Sequence, residues 1–344
     1  MSVRYLKVLL GLKKTVTHTR NIEMSVMQCP ICCERSGLNL VEVWKDYKLY
    51  NCPSCDVVFS DPMKNPGAGW YGESEMYMLG KVLHQKAAWY HNQFLQDKKV
   101  YGVELLDVGC GTGIFLKESQ RLGYKITGID FDRENIRIAH EHFGLREVFP
   151  ITLEELIASY QNKKFDVITF FEVLEHIDDP NNFIKLIKTG LKPGGYVALS
   201  VPNRERFLDP LGKGDYPPNH LTRWNSHSLT YFLEKRGFEI IKIVTNKINT
   251  DELMGYLRAK IRFRIAHKLV QKGRAYNDPA IICRAATLMK IKDTALKLVT
   301  MPLAPILRLL KLQGGGLYCV ARFKPVVSKP LALTPDRVRG KGNL

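Results

Sequence analysis

The sequence predicts an α/β protein: a parallel sheet with helices on both faces, a four-cysteine module in front of it, and a basic helical insert near its end. Three observations predict this. Apolar strand patterns alternate with helical ones between residues 103 and 201, as in a doubly wound sheet. Two C-x-x-C pairs stand ahead of that block, with nineteen residues between them. The chain has 344 residues, room for one domain of roughly 150–250 residues plus smaller attachments.

The elements follow in order. Val103–Val108 reads as a buried strand and Ile114–Leu122 as a helix stopped by Gly123. Between them lies Gly109-Cys-Gly111-Thr-Gly113. Glycines there let the backbone take φ > 0 and approach a ligand closely, and the helix start offers free N–H groups. The spacing G-x-G-x-G differs from the G-x-G-x-x-G of dinucleotide binders. Asp107 on the same turn suits an ammonium or a hydroxyl better than a diphosphate. Cys110 reads as a small filler. Tyr124–Ile129 is a second strand ending in Asp130, an acid placed to hydrogen-bond ribose hydroxyls. Phe165–Phe171 is a third strand, followed by Glu172-Val-Leu-Glu-His176; Leu191–Gly195 reads as a turn and Tyr196–Val201 as the next strand.

Taken together, "LLDVGCGTG", "GID", "FDVITFFEVLEHIDDP" and "LKPGGYVALSVPN" resemble the motif series of class I S-adenosylmethionine-dependent methyltransferases, over roughly residues 81–246 with a final strand near Gly316–Lys324. The resemblance implies a Rossmann-like, seven-stranded sheet. It implies that Asp107, Gly109, Gly111 and Gly113 wrap the methionine part of S-adenosylmethionine, that Asp130 holds the ribose and that Phe131 borders the adenine. Leu153, in Thr152-Leu-Glu154, falls where the family touches the adenine edge, although the segment departs from the family's common Asp-containing form. Glu172 falls near the methionine moiety. Transfer is then an in-line displacement from a sulfonium, driven by positioning, with a base needed for a hydroxyl or carbon acceptor.

Cys29-Pro-Ile-Cys32 and Cys52-Pro-Ser-Cys55 have the spacing of a four-thiolate zinc site. Four thiolates close the coordination shell, so the expected zinc ion is structural; rubredoxin-like iron is the alternative. Cys33 is a spare thiol beside the site. Leu38–Val43 and Tyr47–Tyr50 read as short ribbon strands. Eight cysteines without a secretory signal fit a reducing compartment. The ribbon would either grip nucleic acid or pack against the sheet and wall its cleft. With "LYNCPSCDVVFSDP" and the following Pro and aromatic residues, it resembles the zinc-ribbon extension of bacterial methyltransferases of sugar and cell-envelope biosynthesis. That resemblance places Tyr71 and Tyr77 close to the cofactor.

The stretch "PNRERFLDPLGKGDYPPNHLTRW" is a long polar loop at the C-terminal end of a strand, where such loops serve the site. His220 is the first expectation for a proton acceptor, because imidazole titrates near neutrality; His176 is the second. Tyr216, Asn219, Arg223 and Trp224 are expected to line the acceptor pocket. No Asn/Asp-Pro-Pro-Tyr/Phe motif occurs, which argues against methylation of exocyclic amino groups in nucleic acid bases.

The net charge is +17 and sits in the flanks. Residues 1–28 hold five bases and one acid, 247–311 fourteen and four, 312–344 six and one; the span 29–246 is left at −2. In the insert, Leu253, Leu257, Ile261, Ile265 and Leu269 share a helical face with Lys and Arg off it. A solvated cap, a nucleic-acid grip and an interfacial helix pair on anionic lipid compete, and the last fits best. No apolar run reaches the roughly 18 residues of a membrane span. Residues 1–23 read as a tail or a transit segment, or translation begins at Met24 or Met27.

The expected organisation is a basic tail (1–28), zinc ribbon (29–60), linker near the cofactor site (61–80), methyltransferase core (81–246), basic amphipathic insert (247–313), final strand (314–325) and disordered tail (326–344). The expected activity is methyl transfer to a small-molecule, saccharide or lipid-linked acceptor in cell-envelope or polysaccharide synthesis. The expected location is the cytoplasm, with peripheral contact at the inner membrane face. An RNA methyltransferase that uses its basic flanks, or a non-catalytic cofactor-binding scaffold, is the alternative.

Overall fold

The computed structural model describes residues 27–67, 70, 87–97, 101–159, 163–208, 213–248, 250, 252–254, 256–257 and 294–324. Tyr71 and Tyr77, both termini, most of the insert and the distal part of its apolar stripe (Ile261, Ile265, Leu269) lie outside the described residues.

The core is one seven-stranded sheet. Its strands are β4 (Glu104–Val108), β5 (Lys125–Ile129), β6 (Val148–Phe149), β7 (Phe165–Phe171), β8 (Leu191–Pro202), β10 (Phe238–Lys247) and β11 (Gln313–Phe323), in the order β10-β11-β8-β7-β4-β5-β6. The pairs from β8 through β6 are parallel, and β11 runs antiparallel to both β8 and β10. The order reverses at β4, so the crevice beyond the C-terminal ends of β4 and β7 is where such a sheet binds ligands.

Strand residues alternate between two packed layers, as the two-residue period requires. Leu106, Ile168, Phe170, Val197, Leu199, Leu317 and Cys319 face one layer, together with α5 (Pro180–Gly190) and α6 (Ser226–Glu234). Leu105, Val167, Ala198, Tyr318 and Val320 face the other, with α1 (Trp89–Gln96), α2 (Ile114–Arg121) and α3 (Arg133–Phe143). Each fully buried Leu, Ile, Val or Phe in these layers contributes about 1.5–3 kcal/mol. The helices begin where the sequence supplies caps: Asp132 accepts from Glu134 N, Asp179 from Asn182 N and Asn225 from Ser228 N.

Two boundaries differ from expectation. Leu191–Gly195 is the irregular start of β8, pairing Phe165 with Leu191 before the ladder resumes at Val167 and Tyr196. β11 begins at Gln313, ahead of the expected start near Gly316, and so includes Gly314–Gly316. A Cβ at Gly314 would stand 2.5 Å from Asn246 Oδ1 and Glu252 Oε2, and one at Gly316 would stand 2.8 Å from the Trp89 ring, so close approach explains glycine inside a strand.

The ribbon is part of the same body. β1 (Asn39–Trp44), β2 (Tyr47–Asn51) and β3 (Val58–Asp61) form an antiparallel sheet to which the core adds a fourth strand, β9 (Thr222–Arg223). Ile31, Val57 and Phe59 share one apolar cluster with Trp224 and Phe232. Arg204 Nη2 donates to Asp56 Oδ2 at 2.8 Å, Asn225 Nδ2 to the same oxygen at 2.7 Å, and Arg236 Nη2 to Ile31 O at 2.7 Å. Of the two roles expected for the ribbon, packing against the sheet is the observed one.

Candidate active site and zinc centre

The two cysteine knuckles are built alike. Cys33 N donates to Cys29 O and Asp56 N to Cys52 O, and the residue after each pair, Cys33 or Asp56, has φ near +60°. Cys29 Sγ lies 3.6 Å from Cys55 Sγ, and Cys32 Sγ lies 3.5 Å from Cys52 Sγ. One sulfur from each of the four lies within 4.8 Å of the others. A tetrahedron with Zn–S bonds of ~2.3 Å has edges of ~3.8 Å, so the cage fits zinc. Ile31 N also points at Cys29 Sγ from 3.4 Å. Cys33 is exposed, outside the cage.

A cleft of about 850 Å³ opens over the C-terminal ends of β4, β5 and β7. The glycine turn is tied to the neighbouring strand by Gly109 N and Cys110 N, both donating to Ile129 O. Gly111 has φ +54° and nothing within 4 Å of where a Cβ would be; it faces the cleft. Gly113 has φ +84° and caps α2, and a Cβ there would meet Leu145 Cδ1 at 2.6 Å. Cys110 is buried with its sulfur against Gly128, as a filler.

Asp107 is buried, and Thr169 Oγ1 donates to its Oδ1 at 2.6 Å. Burial pushes this carboxyl up to about 7, partly offset by Thr169. Asp130 is also raised by burial; its Oδ2 accepts from Gly111 N and its Oδ1 from Asp132 N, both at 2.8 Å. Phe131, Leu153 and Glu172 line the same cleft. Glu172 sits at the end of β7 with φ +55°, an uncommon left-handed position for a side chain. Ser200 Oγ donates to its Oε1 at 2.7 Å, while burial raises the carboxyl.

Asn219, His220, His176 and Glu175 line the same cleft. His220 Nδ1 lies 3.3 Å from Asp215 Oδ1. Burial pushes Asp215 up, but the His220 hydrogen bond and the Arg206 charge outweigh it and hold the carboxyl below its ordinary value. That pairing directs His220 Nδ1–H to Asp215 and leaves Nε2 as the acceptor nitrogen. The His176 ring lies 4.8 Å from the His220 ring, and its Nδ1 is 2.6 Å from Asn219 O. Burial pushes His176 down to about 3, so it is neutral at working pH. Glu175 is buried, its carboxylate has no hydrogen-bond partner, and burial raises it well above the usual range. Glu175, His176 and His220 present ligand atoms within 4.8 Å of one another, a donor set that would also accept a cation.

Three expectations for the acceptor pocket are corrected. Trp224 is fully buried between ribbon and core, with Nε1 donating to Thr222 Oγ1. Arg223 is buried, with Nε donating to Asp215 O. Tyr216 stacks on Trp44. None of the three lines the cleft; of the expected set, Asn219 and His220 do. Sequence reading missed Asp215, Glu175, Tyr90 and His91. Tyr90 and His91 come from α1 and pack on Phe171 and Phe115 at the cleft wall.

Residues 79–243 match a family model described as a methyltransferase domain. The ubiquinone biosynthesis O-methyltransferase of Bordetella avium is 31% identical over 172 residues, covering 48% of this chain and 69% of that protein. Its counterpart in Albidiferax ferrireducens is 32% identical over 160 residues, covering 45% and 62%. A crystal structure of a SAM-dependent methyltransferase from Archaeoglobus fulgidus superposes with a TM-score of 0.46 at 16% identity, covering 72% of this chain and all of that one.

Proposed function

The chain belongs to the class I S-adenosylmethionine-dependent methyltransferases, and we propose that it methylates a hydroxyl oxygen of a neutral small molecule. The observation that carries this reading is the charge of the cleft. Seven acidic side chains line it, from Asp107 to Asp179, four of them (Asp107, Asp130, Glu172 and Glu175) raised by burial, and no Lys or Arg does so among the described residues. Such a lining attracts the cationic cosubstrate and repels phosphate-rich acceptors, which weighs against the RNA alternative despite the basic flanks. The relatives named as O-methyltransferases support oxygen as the acceptor atom.

The cosubstrate brings an already activated methyl group. The chain's own residues do the rest. Asp107 and the open face of Gly111 receive the methionine end, Asp130 the ribose, and Phe131 and Leu153 the adenine. Glu172, set at φ +55° by the β7 turn, borders the methionine moiety. His220 Nε2 takes the acceptor proton, while Asp215 orients the ring and stabilises the imidazolium that forms. His176, neutral and fixed by Asn219 O, packs against His220 as the second histidine of the site. Together these residues would hold the acceptor oxygen in line with the transferring carbon, the placement on which most of the acceleration depends. The four thiolates hold a structural zinc ion; that reading rests on the cage dimensions.

A second reading places the acceptor on a saccharide or lipid-linked intermediate of envelope or polysaccharide synthesis, met at an anionic membrane face. One observation favours it. Leu298, Val299, Met301, Ile306, Leu309 and Leu310 are each more than half exposed, around α7 (Ala304–Leu310) in the most basic part of the chain. An exposed apolar patch of this kind suits an interface. No helix among the described residues is long and apolar enough to cross a membrane.

Both readings are tested by supplying labelled S-adenosylmethionine with neutral phenols, neutral glycolipids and RNA. The first expects label on a phenolic oxygen, the second on a glycolipid, and label confined to RNA contradicts both.

A further inference from the structure

We infer that the ribbon is a positioning device for the proton acceptor: Glu42 and Trp44, on its edge strand, hold the loop that carries His220. Residues 213–223 have little regular structure of their own, only a short turn at Lys213–Asp215 and the two residues of β9. A base on such a loop is held only by what the loop touches. Glu42 and Trp44 lie two apart on β1, hence on one face of that strand.

Both reach the loop at Tyr216. Its ring stacks on Trp44 with centroids 4.0 Å apart, and its hydroxyl donates to Glu42 Oε1 at 2.8 Å. Arg223 closes the arrangement from the other side. Its guanidinium lies 4.8 Å from the Tyr216 ring, Nη1 is 3.9 Å from Glu42 Oε2, and Nε donates to Asp215 O at 3.1 Å. Tyr216 O in turn accepts from Asn219 N and His220 N. Tyr216 is thus gripped by the ribbon and fixes the residues on both sides of it, Asp215 and His220, which form the proposed base pair. Ser60 N, on β3, adds a hydrogen bond to Leu221 O.

Neither Glu42 nor Trp44 lines the cleft, so both act through Tyr216. The hydrogen bonds of Asp107 and Asp130 go to Thr169, Gly111, Asp132 and Asn135, all within the core. Disturbing β1 therefore reaches the acceptor side and spares the cofactor side. The kinetic part of this inference rests on the O-methylation reading above; the structural part does not.

The experiment compares wild type, Trp44→Ala, Glu42→Gln and Trp44→Phe in the zinc-loaded full chain. Calorimetric affinity for S-adenosylhomocysteine should stay within about threefold in all of them. With neutral catechol as acceptor probe, Trp44→Ala and Glu42→Gln should lower kcat by about tenfold or more, leave the KM for S-adenosylmethionine unchanged and displace the kcat–pH profile. Trp44→Phe should keep at least about half of the wild-type kcat. Should wild type leave catechol untouched, amide exchange decides the positioning claim. In the S-adenosylhomocysteine complex, residues 214–222 should then exchange about tenfold faster in Trp44→Ala but not in Trp44→Phe, with residues 104–113 unchanged. Wild-type kcat and pH profile in Trp44→Ala and Glu42→Gln, with wild-type exchange in Trp44→Ala, would overturn the inference. So would a loss of S-adenosylhomocysteine affinity equal to the loss of turnover.

Discussion

Lowering the pH from 7.5 to 5.5 should weaken S-adenosylhomocysteine binding chiefly through Asp107. Its carboxyl is buried at the glycine turn, and burial raises it to about 7. A ligand ammonium beside it favours the ionised form, so binding below that value must first expel a proton. If the complex holds Asp107 fully ionised, the affinity falls by a factor of 1 + 10^(pKa − pH). That factor is about 1.3 at pH 7.5 and about 33 at pH 5.5, a change of roughly 25-fold or about 1.9 kcal/mol. The sign for folding is opposite to that of an ion-paired carboxylate. A raised folded-state value means that stability is greatest below the unfolded value and falls as pH rises from about 4 to about 7. Binding ligand should therefore recover stability most at neutral pH. Calorimetry at pH 6 in two buffers of different ionisation enthalpy should show close to one proton released per ligand bound. Asp107→Asn should remove most of the proton release and of the pH dependence, and should weaken binding at pH 7.5 by about 1.5–3 kcal/mol, the range for a hydrogen bond to a charged group. A pH-independent affinity in wild type would refute the assignment of Asp107 to the ligand ammonium.

Further outcomes are expected elsewhere in the molecule. Gly111→Val places branched carbon in the open cradle at φ +54°, so affinity for S-adenosylhomocysteine should fall at least about a hundredfold while the circular dichroism spectrum is retained. Trp224→Ala empties a fully buried site shared by ribbon and core and should cost about 3–5 kcal/mol in urea denaturation. Metal analysis should find zinc on the four thiolates, and Cys52→Ser should release it and lower the melting temperature sharply. Sedimentation with anionic vesicles should exceed that with neutral ones, and Leu309→Asp should abolish the difference; equal sedimentation with both would exclude the interfacial role of the segment around α7.

The glycine-turn side of the cleft was legible because its signals are contiguous. A strand, a glycine turn, a helix and an acid ending the next strand lie within residues 103–130, and each constrains its neighbours' backbone. The cysteine cage was legible for the same reason. The side that carries His220 was not, because it is assembled by a loop with almost no periodicity. His220 could be singled out by its chemistry, but its pairing with Asp215 exists only in the folded loop, where Tyr216 stacks on Trp44 and lies beside Arg223. Arg223 and Trp224 looked like pocket residues because they are a cation and an aromatic in a polar loop; they are buried because a two-residue strand joins the ribbon there. A strand that short leaves no alternation to read. Glu175 carried one weak signal, its place three residues after Glu172 and directly after Leu174, and the 213–223 loop docks beside it, with Leu221 N donating to Glu175 O.

Mass spectrometry of the products formed from purified, zinc-loaded protein, S-adenosylmethionine and a mixture of neutral hydroxylated acceptors is the decisive measurement. The account requires stoichiometric S-adenosylhomocysteine and one new methyl group on an acceptor oxygen, with formation of both lost in His220→Ala while the nucleoside still binds. Methyl groups appearing only on nitrogen or on RNA, or turnover undiminished in that variant, would contradict it.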